Sequence, residues 1–261
     1  MIGPALAVDD LWVAYRTRSR FGWRQPVGRY ALRGLDLTLE RGRCLGVIGG
    51  NGSGKTTLLQ AVAGVIRPSR GRIEVRGRVA SLVDLSAGFH RDLTGHENLI
   101  IGGVLLGLSR AEVQDRYGEI VDFSGLDPEA LDWPLAAYSA GMGLRLGFSL
   151  VVHSAPDLLL VDEVLAVGDD AFRAQCLDRI SQLQESGCAI MVVSHDMDLV
   201  RERCDEVAVL RDGELELIDD ARSGVAFYLE AGGRRDTDPA ELGIFTHRGR
   251  SAAARRRQGA Q

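Results

Sequence analysis

Lys55 constrains this chain more than any other residue, because it is the only lysine among 31 lysine and arginine side chains. It lies in the run Gly49-Gly50-Asn51-Gly52-Ser53-Gly54-Lys55-Thr56-Thr57, which matches the pattern Gly-x-x-x-x-Gly-Lys-Thr. In such a loop, glycines let backbone N–H groups face a phosphate, and the lysine adds a compact charge on a thin, flexible stem. The run therefore predicts a phosphate-binding loop, or P-loop, whose residues bind a nucleotide.

The sequence around the P-loop predicts the elements that would hold it. The apolar run Cys44-Leu45-Gly46-Val47-Ile48 comes before the loop and is typical of a strand buried on both faces. A helix is expected after the P-loop, from about Thr56 through Ala63. The N-terminus of this helix would favour a bound anion. Two more continuous apolar runs, at 158–161 and 190–193, predict further buried strands of a parallel sheet.

The order of these patterns predicts an α/β fold in which a nucleotide-binding core carries a helical insert. We expect one domain over 1–231, with its core in 1–88 and 156–231 and a helical subdomain at about 89–155. Residues 5–15 have the mixed pattern of an edge strand, and 207–217 predict a β-hairpin around the Asp-Gly turn. The arginine-rich tail, 232–261, is expected to be disordered.

Composition excludes several classes of protein. The formal net charge is -5, so the chain lacks the basic balance of a nucleic-acid-binding protein, and no specific nucleic acid partner is expected. The four cysteines have no metal-site spacing and are typical of reduced thiols in a cytosolic protein. The N-terminus does not resemble a signal peptide, and no apolar run reaches the ~20 residues that span a bilayer. If the protein works at a membrane, another chain must cross it.

Two acids follow the apolar run at 158–161. A strand that ends beside a P-loop would place Asp162 where it can hold Mg²⁺ together with the hydroxyl of Thr56. Glu163, one residue later, would then polarise the water that attacks the terminal phosphate.

Two further short motifs have positions that suit phosphate chemistry. The run Tyr138-Ser139-Ala140-Gly141-Met142 opens a predicted helix, whose N-terminus is a candidate phosphate-binding site. His195 follows the apolar run at 190–193, so it is placed at the carboxyl end of a strand, from which it can reach a γ-phosphate.

In this order and spacing, these motifs resemble those of the nucleotide-binding subunits of ABC transporters, over about 6–230. The P-loop is similar to Walker A, the pair Asp162 and Glu163 to Walker B, the run from Ser139 to the signature motif, and His195 to the switch histidine. Asp169 falls where the aspartate of the D-loop belongs. The resemblance implies a P-loop NTPase (RecA-like) core, an N-terminal antiparallel β region and an ATPase that uses ATP and Mg²⁺, with catalytic roles for Lys55, Glu163 and His195.

The resemblance also implies a head-to-tail dimer of two copies of the chain. Each ATP would lie between the Walker residues of one copy and Ser139 and Gly141 of the other, with Asp169 near the same interface. Asp84 occupies the place of the Q-loop glutamine, where a carboxylate can bind Mg²⁺ or a water. The adenine would stack on an aromatic ring; Tyr15 is favoured, and Tyr30 remains the alternative.

Several segments depart from the commonest ABC pattern: Tyr138, Ala140 and Met142 in the signature motif, and 163–172 around the D-loop. With the basic segment 16–29, they resemble the subfamily that exports cell-envelope polysaccharides such as O-antigen and teichoic acid. This implies a cytoplasmic subunit, peripheral on the inner face of the bacterial membrane, that drives a separate integral-membrane permease. The alternatives are an ATPase of another transporter class, an importer or a drug exporter, and a soluble ABC protein outside transport.

The basic segment 16–29 combines arginines with Phe21 and Trp23. Two interpretations stay open: a solvated surface loop, or a contact with the permease or with anionic lipid. The tail after residue 231 is too short for a glycan-binding β-sandwich, so we expect substrate choice to lie elsewhere.

Overall fold

The computed structural model describes residues 3–15, 30–82, 88–162 and 169–230, and the backbone of 246–248. The predictions for Asp84, Glu163 and the segment 16–29 therefore lie outside the described residues. The chain divides into two compact units, of which the first comprises 1–76 and 189–261 and the second 77–188. The second unit contains the predicted helical segment and also takes in two strands and a helix of the predicted core.

The strands in chain order are β1 Leu6–Ala14, β2 Tyr30–Leu39, β3 Cys44–Ile48, β4 Arg70–Val75, β5 Val79–Ser81, β6 Leu158–Val161, β7 Ala189–Val193, β8 Glu206–Arg211, β9 Glu214–Ile218 and β10 Thr246–Arg248. The helices are α1 Lys55–Val62, α2 Gly95–Leu105, α3 Arg110–Ser124, α4 Ala140–His153, α5 Asp170–Glu185, α6 Met197–Arg203 and α7 Ala221–Glu230. Short 3₁₀ helices lie at Pro128–Asp132 and Leu135–Ala137.

A mixed sheet in the first unit carries the P-loop strand. Its strand order is β10-β9-β8-β3-β7, in which β3 is parallel to both β8 and β7. Every residue of β3 and of β7 is buried, which confirms the strands expected from the continuous apolar runs. Since β3 and β7 are parallel neighbours, the P-loop and the segment that contains His195 leave the same edge of this sheet.

The antiparallel N-terminal region is confirmed, but the predicted position of its first strand is wrong. In the three-stranded sheet the order is β2-β1-β4, so β1 is the central strand and not an edge. Its register shifts near Asp10, whose φ is +46°, outside the range of an ordinary strand. Residues of β1 alternate between buried and half-buried positions, and the register shift, a β-bulge, interrupts this alternation. The interrupted pattern in the sequence is therefore similar to that of an edge strand.

The hairpin predicted at 207–217 is confirmed as the antiparallel pair β8 and β9. Its turn residues Asp212 and Gly213 both have positive φ, 48° and 82°, which is the backbone that an Asp-Gly turn favours. The tail predicted to be disordered lies outside the described residues except at 246–248, whose backbone forms β10 antiparallel to β9.

The second unit joins a parallel pair of strands to a group of helices. β5 and β6 are parallel, and every residue of β6 is buried. A cluster of buried side chains from α2, α3, α4 and the first 3₁₀ helix forms a core; it contains Leu99, Ile120, Val121, Leu131, Leu146 and Leu150.

Two of these helices begin with a capping box, in which the side chain of the N-cap residue and that of the third helical residue each bond the other's backbone N–H. The pairs are Thr94 with Glu97 for α2 and Ser109 with Glu112 for α3. Ser109 and Arg78 together lower the pKa of Glu112 to about 2.

Asn98 holds the loop that precedes α2. The residue is completely buried, and its Nδ2 donates to the carbonyl oxygens of His90, Leu93 and Thr94 at 3.0, 3.1 and 2.8 Å. Its Oδ1 accepts a hydrogen bond from the backbone N–H of His90 at 2.6 Å. A single buried amide thus adds side-chain hydrogen bonds to several backbone groups of this loop.

We expect Asn98→Ala to lower the free energy of unfolding by about 2–4 kcal/mol, because the loop would lose all the hydrogen bonds that this buried amide makes. Urea unfolding followed by circular dichroism measures the change. Gln114→Ala is the matched control, since Gln114 is an exposed amide on α3 and its loss is expected to cost less than about 0.5 kcal/mol. Equal stability of the two variants would contradict this role of Asn98.

Candidate nucleotide-binding site

The P-loop connects β3 to α1 and leaves the start of the helix open. Gly54 is the N-cap residue of α1, with no side-chain cap, and the first turn carries no acidic residue. The first backbone N–H groups of a helix have no partner within the helix, and they carry part of the positive end of its dipole. The start of α1 is therefore suited to bind an anion such as a phosphate.

Two buried polar side chains line this loop. Lys55 is 7% exposed, and its Nζ donates to the carbonyl oxygens of Gly49 at 2.8 Å and Gly50 at 3.1 Å. Ser53 is 6% exposed, and its Oγ has no hydrogen-bond partner among the described residues. A buried hydroxyl without a partner is costly, so the loop retains a polar group that a bound ligand would satisfy.

Two glycines of the loop are required for different reasons. At Gly54, a Cβ atom would lie 2.7 Å from the carbonyl oxygen of Ala31 and 2.8 Å from Leu32, so the close packing of β2 excludes a side chain. At Gly52 there is open space, but φ is +77°, which only glycine adopts without strain.

Gly213 supports the P-loop from the hairpin, a role that the sequence analysis did not predict. Its backbone N–H donates to the carbonyl oxygen of Ser53 at 3.0 Å, and its own carbonyl accepts from the N–H of Arg33 at 2.7 Å. A Cβ at this position would lie 2.5 Å from the carbonyl oxygen of Ala31. The sequence showed only an Asp-Gly turn, and its contact with the P-loop depends on the tertiary fold.

Tyr15 and Tyr30 have different surroundings. Tyr15 is 50% exposed, and its hydroxyl lies in a hydrogen bond 3.0 Å from Oγ1 of Thr57 on the P-loop helix. The ring of Tyr30 packs edge-on against Trp12, with ring centroids 5.2 Å apart. Tyr15 is thus a half-exposed residue linked to the P-loop helix, while Tyr30 takes part in the packing of the antiparallel sheet.

The hydroxyls that follow Lys55 are also differently placed. Thr57 is buried and engaged with Tyr15, whereas the side chain of Thr56 is exposed. Directly after the neighbouring strand, β7, the buried Ser194 is followed by the exposed His195, and Oγ of Ser194 accepts from the N–H of Asp196 at 3.0 Å. The first unit therefore carries Tyr15, the P-loop and His195.

The second unit carries the other predicted site residues that are described. Asp162 follows β6, and the neighbouring strand β5 ends two residues before the undescribed segment that contains Asp84. Within the described residues, no three His, Cys, Asp or Glu side chains gather as a ready metal cage.

Ser139 begins α4 as its N-cap, with Oγ accepting from the backbone N–H of Met142 at 3.2 Å. Ser139 is exposed, and a Cβ at Gly141 would meet nothing nearer than Oγ of Ser139, at 3.9 Å. Before it, the hydroxyl of Tyr138 donates to the carbonyl oxygen of Ala130 at 2.8 Å, and burial raises the pKa of this tyrosine. Tyr138 therefore anchors the turn that leads into α4. Ser139, at the start of this helix, remains exposed.

Asp169 begins α5 as its N-cap, with Oδ1 accepting from the N–H of Phe172 at 2.9 Å. Its other carboxylate oxygen lies 3.0 Å from Nη2 of Arg145 on α4. Arg145 was not among the predicted site residues.

The parallel strands around β3, the open helix start and the buried lysine of the first unit are those of a P-loop nucleotide-binding protein. Comparison with known proteins narrows this class. The model of the ABC transporter family matches residues 32–166, which is 135 of the 261 residues, and the chain belongs to that family.

Three curated relatives share this region. The chain is 42% identical over 201 residues to the O-antigen export system ATP-binding protein RfbB of Myxococcus xanthus, which covers 77% of the chain and 46% of the relative. RfbB of Klebsiella pneumoniae is 43% identical over 201 residues, covering 77% and 81%. The teichoic acids export ATP-binding protein TagH of Lactococcus lactis is 39% identical over 187 residues, covering 72% and 40%. The chain thus spans about half the length of some of these relatives.

A solved structure described as an ATP binding subunit of an ABC transporter has the same fold. The TM-score is 0.73 at 22% sequence identity, and the match covers 91% of this chain and 97% of the other. None of the helices in the described part of the chain is long and apolar enough to cross a membrane.

Proposed function

We propose that this chain is the ATP-binding and hydrolysing subunit of an ABC transporter, and that it energises the export of a cell-envelope polysaccharide through a separate permease. The relatives named for O-antigen and teichoic acid export support the class of cargo, because they match the chain at 39–43% identity over at least 72% of its length. The departures in the signature motif and D-loop favour the same subfamily.

The observation that carries the ATPase is the P-loop of the first unit. A helix start with no side-chain cap, a buried lysine and the unpartnered hydroxyl of Ser53 together offer donors to a polyphosphate. We assign phosphate binding to residues 49–57, with Lys55 on the β- and γ-phosphates. Tyr15 is the residue we assign to the adenine, because it is half exposed and its hydroxyl is hydrogen-bonded to Thr57.

The residues present fit a Mg²⁺ ion. In ATP sites this ion usually takes one or two protein oxygens together with phosphate oxygens and waters, so a ready cage of three acids is not required. Thr56, with its exposed hydroxyl, and Asp162 would hold it, and Asp84 is a further candidate. When bound, Mg²⁺ neutralises charge on the β- and γ-phosphates.

We assign the roles in ATP hydrolysis from the motif to which each residue belongs. Glu163 would hold and polarise the attacking water, and His195 would contact the γ-phosphate from the end of β7. Lys55 would stabilise the charge that develops on the phosphoryl group. Most of the catalysis would come from positioning and from this charge stabilisation.

A second copy of the chain would complete each site. We assign to Ser139 and Gly141 the contact with the ATP of the opposite copy, since the start of α4 is exposed and free of large side chains at Ala140, Gly141 and Gly143. Asp169 would lie at the same interface. ATP binding would close the dimer, hydrolysis would open it, and the cycle would shift the permease between states. We therefore propose that the chain works in the cytoplasm, on the inner face of the membrane.

Deletion of the coding gene in the source bacterium is expected to remove the polysaccharide from the cell surface and to accumulate it inside the cell. Gel analysis of surface glycan and of intracellular glycan measures both pools. The wild-type gene should restore export, and the Lys55→Ala variant should not. If both pools are unchanged and the purified chain still hydrolyses ATP, polysaccharide export is contradicted. The chain would then be an ATPase of another transporter class.

A further inference from the structure

Arg145 connects the signature helix to the D-loop aspartate. It lies on α4, six positions after Ser139, and its side chain is 25% exposed. Its Nη2 donates to Oδ2 of Asp169 at 3.0 Å, while the guanidinium carbon lies 4.5 Å from the ring centroid of Phe172. The ring below and the carboxylate in front hold the planar guanidinium in one orientation.

The carboxylate of Asp169 is divided between two tasks. One oxygen caps α5 through the N–H of Phe172 at 2.9 Å, and the other accepts from Arg145. The side chain of Asp169 is 66% exposed, so solvent competes for both contacts. With the arginine in place, the residue has a fixed position at the start of α5.

The packing of α4 against α5 does not depend on this pair. Phe148 of α4 and Phe123 of α3 both contact the buried ring of Phe172, at centroid distances of 6.0 and 5.9 Å. These aromatic contacts would keep the helices together without Arg145. Arg145 also donates from Nη1 to the carbonyl oxygen of Ser124 at 3.5 Å, and its only charged partner among these contacts is the carboxylate of Asp169.

We propose that Arg145 is a positioning residue that joins Ser139 and Asp169 into one rigid part, which a subunit presents to the other copy of the dimer. This inference rests on the proposed function. Because α4 is a rigid helix, the distance between its start and Arg145 is fixed. The contact of Arg145 with Asp169 then fixes the start of α5 relative to the start of α4 before the two subunits meet. Without Arg145, the side chain of the D-loop aspartate would have to be ordered each time two subunits associate. The entropy lost in this ordering would weaken closure of the dimer.

The test uses the full chain with Glu163→Gln, in which ATP is expected to hold the dimer closed. We expect Arg145→Gln to weaken ATP-driven dimerisation about tenfold in analytical ultracentrifugation. Asp169→Asn should have a similar effect, because asparagine keeps the cap but loses the charge. The double variant should be no weaker than either single variant, since both remove the same contact. Arg145→Lys should recover part of the loss.

Two readouts distinguish positioning from a structural role. ATP binding to the monomer and the melting temperature should stay near the parent values, because the P-loop and the aromatic packing are intact. Arg201→Gln is the control, since Arg201 pairs with Asp198 at 2.9 Å in a comparably exposed bridge and is expected to have no effect. Dimerisation of Arg145→Gln at the parent affinity, additive losses in the double variant, or an equal loss of monomer ATP binding would each overturn the inference. A Glu163→Gln parent that stays monomeric with ATP would overturn the proposed dimer itself, and this inference with it.

Discussion

Lys55→Arg is expected to lower ATP turnover by about 100- to 1,000-fold, although it keeps the positive charge. The lysine side chain is 7% exposed, and its Nζ fits against the carbonyl oxygens of Gly49 and Gly50. A guanidinium is larger, planar and fixed in a fork, so it cannot occupy this space and also reach the phosphates as a compact charge. Steady-state phosphate release measures the change.

Because Lys55 is the only lysine, its accessibility can be followed directly. A lysine-specific protease should cut the chain only after this residue, and bound ATP should slow the cut. Arg110→Lys is the matched control: Arg110 is exposed at the start of α3, so this variant should hydrolyse ATP at the parent rate and gain a cut that ATP does not slow. Parent turnover in Lys55→Arg would show that the lysine is not needed as a point charge.

Glu163→Gln is expected to lower hydrolysis by about 100- to 10,000-fold while ATP binding persists, because the amide cannot polarise the attacking water. ATP should then accumulate a closed dimer that ADP does not form. Size-exclusion chromatography with ATP, and separately with ADP, measures the shift in oligomeric state.

Glu185→Gln makes the same chemical change at an exposed position at the end of α5, and it should leave turnover and oligomeric state unchanged. If Glu163→Gln instead turns over at the parent rate, Glu163 is not the group that activates water.

Local patterns predicted most of the elements around the site. The continuous apolar runs marked β3, β6 and β7, and the Asp-Gly turn marked the β8–β9 hairpin. These patterns succeed because a strand buried on both faces, or a turn that needs positive φ, restricts which residues can stand there. The start of α4 at Ser139 was also visible, because the capping serine is a local signal.

The position of β1 in its sheet was predicted incorrectly, for a physical reason. An antiparallel strand with one buried face shows the same alternation at the centre of a small sheet as at its edge. Here the register shift near Asp10 broke even that alternation. Only the pairing of β1 with both β2 and β4 identifies it as central.

The sequence by itself determined the class of the protein, because the spacing from Gly49 to Lys55 is dictated by the shape and charge of a phosphate and needs no distant residue. The tertiary structure alone decided which side chains support that chemistry. The contacts of Tyr15 with Thr57, of Gly213 with Ser53 and of Arg145 with Asp169 join positions that are far apart in the chain. No local pattern encodes such pairs, because they form only when the packing of strands and helices brings their elements together.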